Sequence, residues 1–143
     1  MTVVRPMSVG DAEDVALLCG QWGYPSTAAE VEERLGPVLT DPSHVLLVAE
    51  GEDGSAVGWV HAFAWYSLAA PPALEVVGLV VDEAARGGGI GRVLMSAVEQ
   101  WAAERSLAPV RLRSAAGRHE AHAFYERIGY EHYKTQHAFR QVS

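Results

Sequence analysis

Residues 86 to 92 read Arg-Gly-Gly-Gly-Ile-Gly-Arg, set between the apolar run Val76 to Val81 and a strongly periodic helical segment. A strand, a glycine-rich turn and a helix start in that order make a socket for phosphate. The first backbone N–H groups of a helix have no intrahelical partner and point at whatever lies before them. Glycines at 87, 88, 89 and 91 let the backbone approach that ligand without Cβ interference. Arg86 and Arg92 add charges suited to phosphate oxygens. The Walker pattern fails, because no Lys-Ser/Thr pair follows Gly91. The dinucleotide pattern Gly-x-Gly-x-x-Gly fails too, because it would need glycine at Arg92 or Leu94. What fits is Arg-x-x-Gly-x-Gly, filled by Arg86, Gly89 and Gly91. A bare turn without a ligand would satisfy the same spacing, so the rest of the chain must arbitrate.

The elements that would hold this loop are legible on both sides of it. Thr2 to Arg5 reads as a short strand, and residues 10–22 as a helix with the stripe Val15, Leu18, Cys19, Trp22. Thr27 and Glu30 have capping-box spacing ahead of a second helix carrying Val31, Leu35 and Val38. His44 to Glu50 and Ala56 to Tyr66 read as strands joined by the turn Gly51-Glu52-Asp53-Gly54. Leu74 to Val81 is a strand after Pro71-Pro72, and Glu75 is the only acid in it. Ile90, Val93, Leu94, Ala97, Val98 and Trp101 recur at helical spacing. Pro109 to Arg113 reads as a strand, Arg118 to Ile128 as a helix and Tyr130 to Phe139 as a last strand. This order predicts an α/β (α+β) fold, a mixed sheet with helices on both faces.

At 143 residues and 49% hydrophobic content, the chain is expected to be one globular domain over residues 1–143. Mean hydropathy near zero, the lack of a membrane-length apolar run and the lack of a signal-peptide core predict a soluble cytoplasmic protein. The single cysteine, Cys19, fits a reducing compartment and reads as a core thiol. Charge divides sharply: residues 1–85 carry a net −11 and residues 86–143 a net +4. That asymmetry suits an anionic ligand on the second half and a cationic or neutral one on the first. No basic run with interleaved aromatics appears, so nucleic acid is not an expected partner. His119, His122, His132 and His137 lack any ligand pattern, and no metal is expected.

Three segments together resemble the GNAT N-acetyltransferase superfamily. Arg86, Gly89 and Gly91 match its coenzyme A pyrophosphate loop, and Leu79-Val80-Val81-Asp82 resembles the end of its fourth strand. Ala121 to Tyr130, Ala-His-Ala-Phe-Tyr-Glu-Arg-Ile-Gly-Tyr, is similar to its Ala-x-x-Phe-Tyr-Glu-x-x-Gly-Phe/Tyr signature. These matches cover about residues 75 to 130, and the element order agrees along the rest. The resemblance implies the GNAT fold, a mixed, mostly antiparallel central sheet of six to seven strands. It also implies an acetyl-CoA-dependent N-acetyltransferase, with acetyl-CoA as cosubstrate and no metal.

Residue by residue, the resemblance implies that Gly87, Gly88, Gly89, Ile90, Gly91 and Arg92 bind the pyrophosphate with Arg86. Leu79, Val80 and Val81 would line the pantetheine arm along an opened strand edge, one of their N–H groups polarising the thioester carbonyl. Glu75, eleven residues before Arg86, resembles the family's catalytic glutamate and would take a proton from the acceptor ammonium. Tyr125 matches the signature tyrosine and would protonate the departing thiolate. Many members carry asparagine seven residues before that tyrosine; here it is Arg118, expected to reach a phosphate instead. For the acceptor, Trp22, Tyr24, His61, Trp65 and Tyr66, expected near the acids Glu30, Glu32 and Glu33, suit an ammonium group. A small-molecule amine is the first expectation. A protein N-terminus or lysine, or a non-catalytic acyl-CoA-binding module, is the alternative, and oligomeric state, a homodimer included, is left open.

Overall fold

The computed structural model describes residues 2–142, which fold as two compact units, residues 2–113 and 114–142. The first unit holds five strands: β1 (Val3–Pro6), β2 (His44–Glu50), β3 (Ala56–Trp65), β4 (Ala73–Val81) and β5 (Val110–Leu112). They lie in sequence order, antiparallel from β1 to β4 and parallel between β4 and β5. Its helices are α1 (Ala12–Trp22), α2 (Ala28–Leu39) and α3 (Ile90–Glu104). The capping box ahead of α2 forms as its spacing predicts: Glu30 N–H donates to Thr27 Oγ1, and Thr27 N–H donates to Glu30 Oε1.

Helices cover both faces because β3 alternates. Trp59 clusters with Val15 and Leu18 of α1, Val31 and Leu35 of α2, and Val48 and Val80 of the sheet. Its neighbour Gly58 points the other way, where a Cβ would lie 3.2 Å from Ile90 and Leu94 of α3. Cys19 packs against the first of these clusters, and burial raises its thiol pKa.

One irregularity in β4 decides which face its residues serve. His61 pairs with Gly78, but Ala62 pairs with Val76, leaving Val77 as the extra residue of a β-bulge. Plain alternation would place Glu75 with Leu79 and Val81, toward α3. The bulge turns it to the face of Gly78 and Val80, beside its cross-strand partner Phe63. Gly78 is glycine for a steric reason: a Cβ there would lie 2.9 Å from Trp22 and 3.0 Å from Trp59.

At the far edge of the sheet, Arg5 forks onto Asp11 at 2.7 and 2.8 Å and also pairs with Glu50. Asp11 is buried and additionally accepts the Ser8 N–H at 2.8 Å. The Arg5 guanidinium, aided by Ser8, holds its carboxyl below the usual carboxylate range. A depressed folded-state pKa stabilises the fold above the unfolded-state value, and the effect is lost as pH falls through the folded one. Asp11→Ala is expected to cost about 3 kcal/mol at neutral pH. Thermal denaturation should show a Tm lower by about 10 °C. The gap from the parent protein should narrow once pH drops below the ordinary carboxylate range.

The second unit contains α4 (His119–Arg127). It ends at Gly129, φ +101°, beyond which the Tyr130 N–H bonds back to the Tyr125 carbonyl. The strand expected over Tyr130 to Phe139 does not form, and five strands among the described residues stand against the expected six to seven. Tyr133 and Phe139 are 59% and 92% exposed, so the segment buries no apolar face that could set a register.

Candidate active site

The glycine loop is anchored before it turns. Asp82 caps a 3-10 turn, Glu83–Ala85, that follows β4 directly. Gln21 of α1 clamps this turn with one amide: Nε2 donates to Asp82 Oδ1 at 3.0 Å, and Oε1 accepts the Glu83 N–H at 2.9 Å. Arg86 Nε donates to the Val81 carbonyl at 3.2 Å, tying the loop back to the strand. Gly87 and Gly89 adopt φ +86° and +84°, and a Cβ at either would meet nothing within 4 Å, so the space beside them is open. Gly89 starts α3, its carbonyl accepting the Val93 N–H at 3.0 Å. The amides of Ile90, Gly91 and Arg92 then stand at the helix start, where no intrahelical carbonyl is available to them. No acidic side chain occupies that first turn, and Arg92 is exposed beside it. Positive-φ glycines, open space and helix-start amides fit a pyrophosphate.

The strand leading into this loop has an open edge. β4 pairs with β5 only from Leu74↔Val110 to Val76↔Leu112. From Val77 to Val81, no strand pairs on that side among the described residues. Val80 is buried there, while Leu79 and Val81 are half-buried. An extended, amide-bearing ligand could add to this edge as a strand would.

Glu75 lies at the root of the open edge and is 6% exposed. Its Oε1 accepts from Arg111 Nε at 3.1 Å. The Arg111 and Arg113 guanidiniums sit 5.0 and 5.5 Å from the Trp65 ring centroid, so Trp65 already carries two of the chain's own cations. On the same face, His61 Nε2 lies 2.8 Å from His44 Nδ1. Burial, with a smaller contribution from His44, lowers the His61 pKa to about 4. Trp22 meets Trp59 edge-on at 5.7 Å and Tyr24 at 4.6 Å, and Tyr24 remains 61% exposed.

In the second unit, Tyr125 packs against Phe124 and Tyr130 with ring centroids 5.2 and 6.1 Å away. Burial pushes its phenol pKa up, and the charge of Arg118 pulls against that rise. Arg118 is the N-cap position of α4 without a side-chain cap bond. His122 Nε2 lies 2.9 Å from the Ala115 carbonyl.

The first unit therefore brings Glu75, His61, Trp65 and Trp22 onto one face of the sheet, with Tyr24 on Trp22. Three residues escape a reading of the sequence. Gln21 is one polar residue on a helix, and nothing local links it to position 82. Arg111 could have been noticed as a charge in the middle of a short strand. His44 stands at a strand start with no motif.

A family model described as "Acetyltransferase (GNAT) family" matches residues 13–130. The mycothiol acetyltransferase of Kocuria rhizophila is 29% identical over 96% of this chain and 48% of its own length. That of Rhodococcus erythropolis is 31% identical over 81% of this chain and 40% of its own length. The chain thus spans about half the length of the curated relatives it matches. Among solved structures, an aminoglycoside antibiotic 6'-N-acetyltransferase of Acinetobacter baumannii superposes with TM-score 0.87 at 20% identity, covering 100% of this chain and 99% of that one. At that identity the likeness shows the fold.

Proposed function

The chain belongs to the acetyltransferase (GNAT) family, and on that premise we propose that it moves the acetyl group of acetyl-CoA to the primary amine of a small molecule. The observation that carries this reading is the unpaired edge of β4 running directly into the glycine loop. Acetyl-CoA supplies the acetyl thioester. In this reading Gly87 to Arg92 bind its pyrophosphate, with Arg86 and Arg118 adding charge, and the edge at Leu79 to Val81 pairs with the pantetheine. A β4 N–H near Leu79 or Val80 then stabilises the developing oxyanion. Residues 1–143 act as one acetyltransferase domain, a division supported by a family match that runs through both units. The lone Cys19 supports a cytoplasmic setting.

An alkyl ammonium has a pKa of about 10.4 and cannot attack while protonated. Glu75 takes that proton, and the amine attacks the thioester directly. Tyr125 gives its proton to the leaving thiolate. The raised phenol pKa suits this role, because the acid form persists through and beyond the ordinary phenol range. Tyr125→Phe is expected to lower kcat by about 10- to 100-fold with little change in the KM for acetyl-CoA, measured as thiol release under saturating acceptor.

A small acceptor is favoured by the net −11 of residues 1–85, which attracts an ammonium, and by relatives named as mycothiol acetyltransferases. The deciding experiment follows free thiol released from acetyl-CoA across a panel of small amines and peptides. Turnover with small amines is the expected result. Turnover with peptides alone would make the acceptor a protein N-terminus or lysine. Tight coenzyme binding without any turnover would leave an acyl-CoA-binding module.

A further inference from the structure

A long ligand gripped at two places is held well only if the two places keep a fixed separation. The reading above seats the pantetheine on the β4 edge at Leu79 to Val81 and the pyrophosphate on Gly87 to Arg92. Residues 82–86 join the two. Whatever steadies that spacer belongs to the coenzyme site, even where it never meets the coenzyme.

The sheet supports the spacer only at its start. β5 pairs with β4 no further than Val76, so among the described residues β3 is the one strand beside Gly78 to Val81. That pairing ends with the Asp82 N–H on the Val57 carbonyl at 2.8 Å, and beyond it Glu83, Ala84 and Arg86 are exposed. The last turn of α1 makes up the difference. Trp22 meets β4 just before the edge, where a Cβ at Gly78 would lie 2.9 Å from its ring. Gln21 meets the chain just after the edge, donating to Asp82 Oδ1 at 3.0 Å and accepting the Glu83 N–H at 2.9 Å. Two consecutive residues of one helix thus bracket the stretch 79–81.

The chemistry of the second contact calls for a primary amide. The Glu83 N–H needs an acceptor, whereas the Asp82 carboxylate accepts only and needs a donor. Glutamine carries both on one carbon, and its bond to the carboxylate is charge-assisted. Asp82 Oδ1 also accepts the Ala84 N–H at 3.4 Å, so the same fork orients the group that starts the 3-10 turn. We propose that Gln21 is a positioning residue for acetyl transfer: it fixes the span between the β4 edge and the glycine loop, so that both hold one acetyl-CoA at once. Held at that span, the thioester carbonyl is kept against the edge N–H at Leu79 or Val80. Without the fork, the loop shifts relative to the edge, which weakens the grip on the whole coenzyme and misaligns the thioester. A fragment that reaches only one of the two places is indifferent to their separation.

This inference rests on the acetyltransferase reading, and binding measurements keep the two apart. Gln21→Leu removes both hydrogen bonds at a half-buried position, and the variant is compared with the parent well below its melting range. Its affinity for coenzyme A should fall about 10-fold, while that for ADP, which carries the pyrophosphate alone, should change less than about twofold. With an accepting amine, kcat at saturating acetyl-CoA should fall about 10-fold. Should Gln21→Leu fold poorly, Gln21→Glu supplies the test through pH. At neutral pH it sets a second carboxylate against Asp82, and two carboxylates so close take up a shared proton as pH falls. Relative to the parent, its coenzyme A affinity should therefore be low at neutral pH and recover toward about pH 5.5, where the new carboxyl donates to Asp82 again. Unchanged affinity and kcat in a folded Gln21→Leu, equal losses for coenzyme A and ADP, or a Gln21→Glu deficit that ignores pH overturns the positioning role while leaving the acetyltransferase intact. A parent protein that binds no coenzyme A overturns the acetyltransferase reading and the role of Gln21 with it.

Discussion

Glu75→Gln is expected to lower kcat/KM for the acceptor amine by about 10²- to 10³-fold at neutral pH. The size follows from the acceptor. At pH 7 an alkyl ammonium of pKa about 10.4 is free amine to only about one part in 2,500. Without a base, only that fraction attacks. The deficit should therefore shrink about tenfold for each unit of rising pH, as solution chemistry takes over the deprotonation. Glutamine keeps the size of the side chain and a carbonyl that can accept from Arg111 Nε but removes the charge facing that guanidinium, so Tm should fall and rates are compared well below the variant's melting range. Initial rates between about pH 7 and pH 9.5 give the answer. A deficit of the same size at every pH would remove Glu75 from the proton path and make its ion pair with Arg111 a structural one.

Gly89→Val should weaken acetyl-CoA binding by about 10- to 100-fold and leave kcat at saturating coenzyme within a few-fold of the parent. Gly89 sits at φ +84°, a region that costs an L-residue about 1–2 kcal/mol and a β-branched one more. The chain can relieve that strain by turning the peptide, which re-aims the amides of Ile90 and Gly91. A Cβ at 89 would meet nothing within 4 Å, so a collision inside the protein is not the cause. Calorimetric titration with coenzyme A, beside a melting curve, separates lost affinity from lost fold. Unchanged affinity would mean that the loop is a turn and not a cradle.

Much of the fold was legible because its signals are local. The boundaries of β2 coincide with the apolar run His44 to Glu50, and α2 begins at the Thr27–Glu30 capping box. α3 begins at Ile90, where glycines end and helical periodicity starts. Tyr130 to Phe139 misled for the same reason. Its alternation of residue types looks like a strand, but a strand needs a face to bury, and Tyr133 and Phe139 stay in solvent.

The candidate site divides along the same line. Arg86, Gly87, Gly89 and Gly91 lie within one six-residue segment, so spacing alone could exclude two nucleotide patterns, and the family resemblance then implied a coenzyme A loop. Which face Glu75 serves depends on Val77, one unpaired residue whose effect is visible only once β3 fixes the register. Its partner Arg111 is 36 residues away, and the histidines that contact each other on that face are separated by 17. Gln21 reaches Asp82 across 61 residues. Sequence by itself determined the glycine loop at the start of α3, the order of elements up to α4 and the division of charge, since each depends on neighbours within a turn or a strand. Tertiary structure decided the orientation of Glu75, its ion pair and the histidine contact beside it. Those depend on strand register, which is set by packing between segments far apart in the chain.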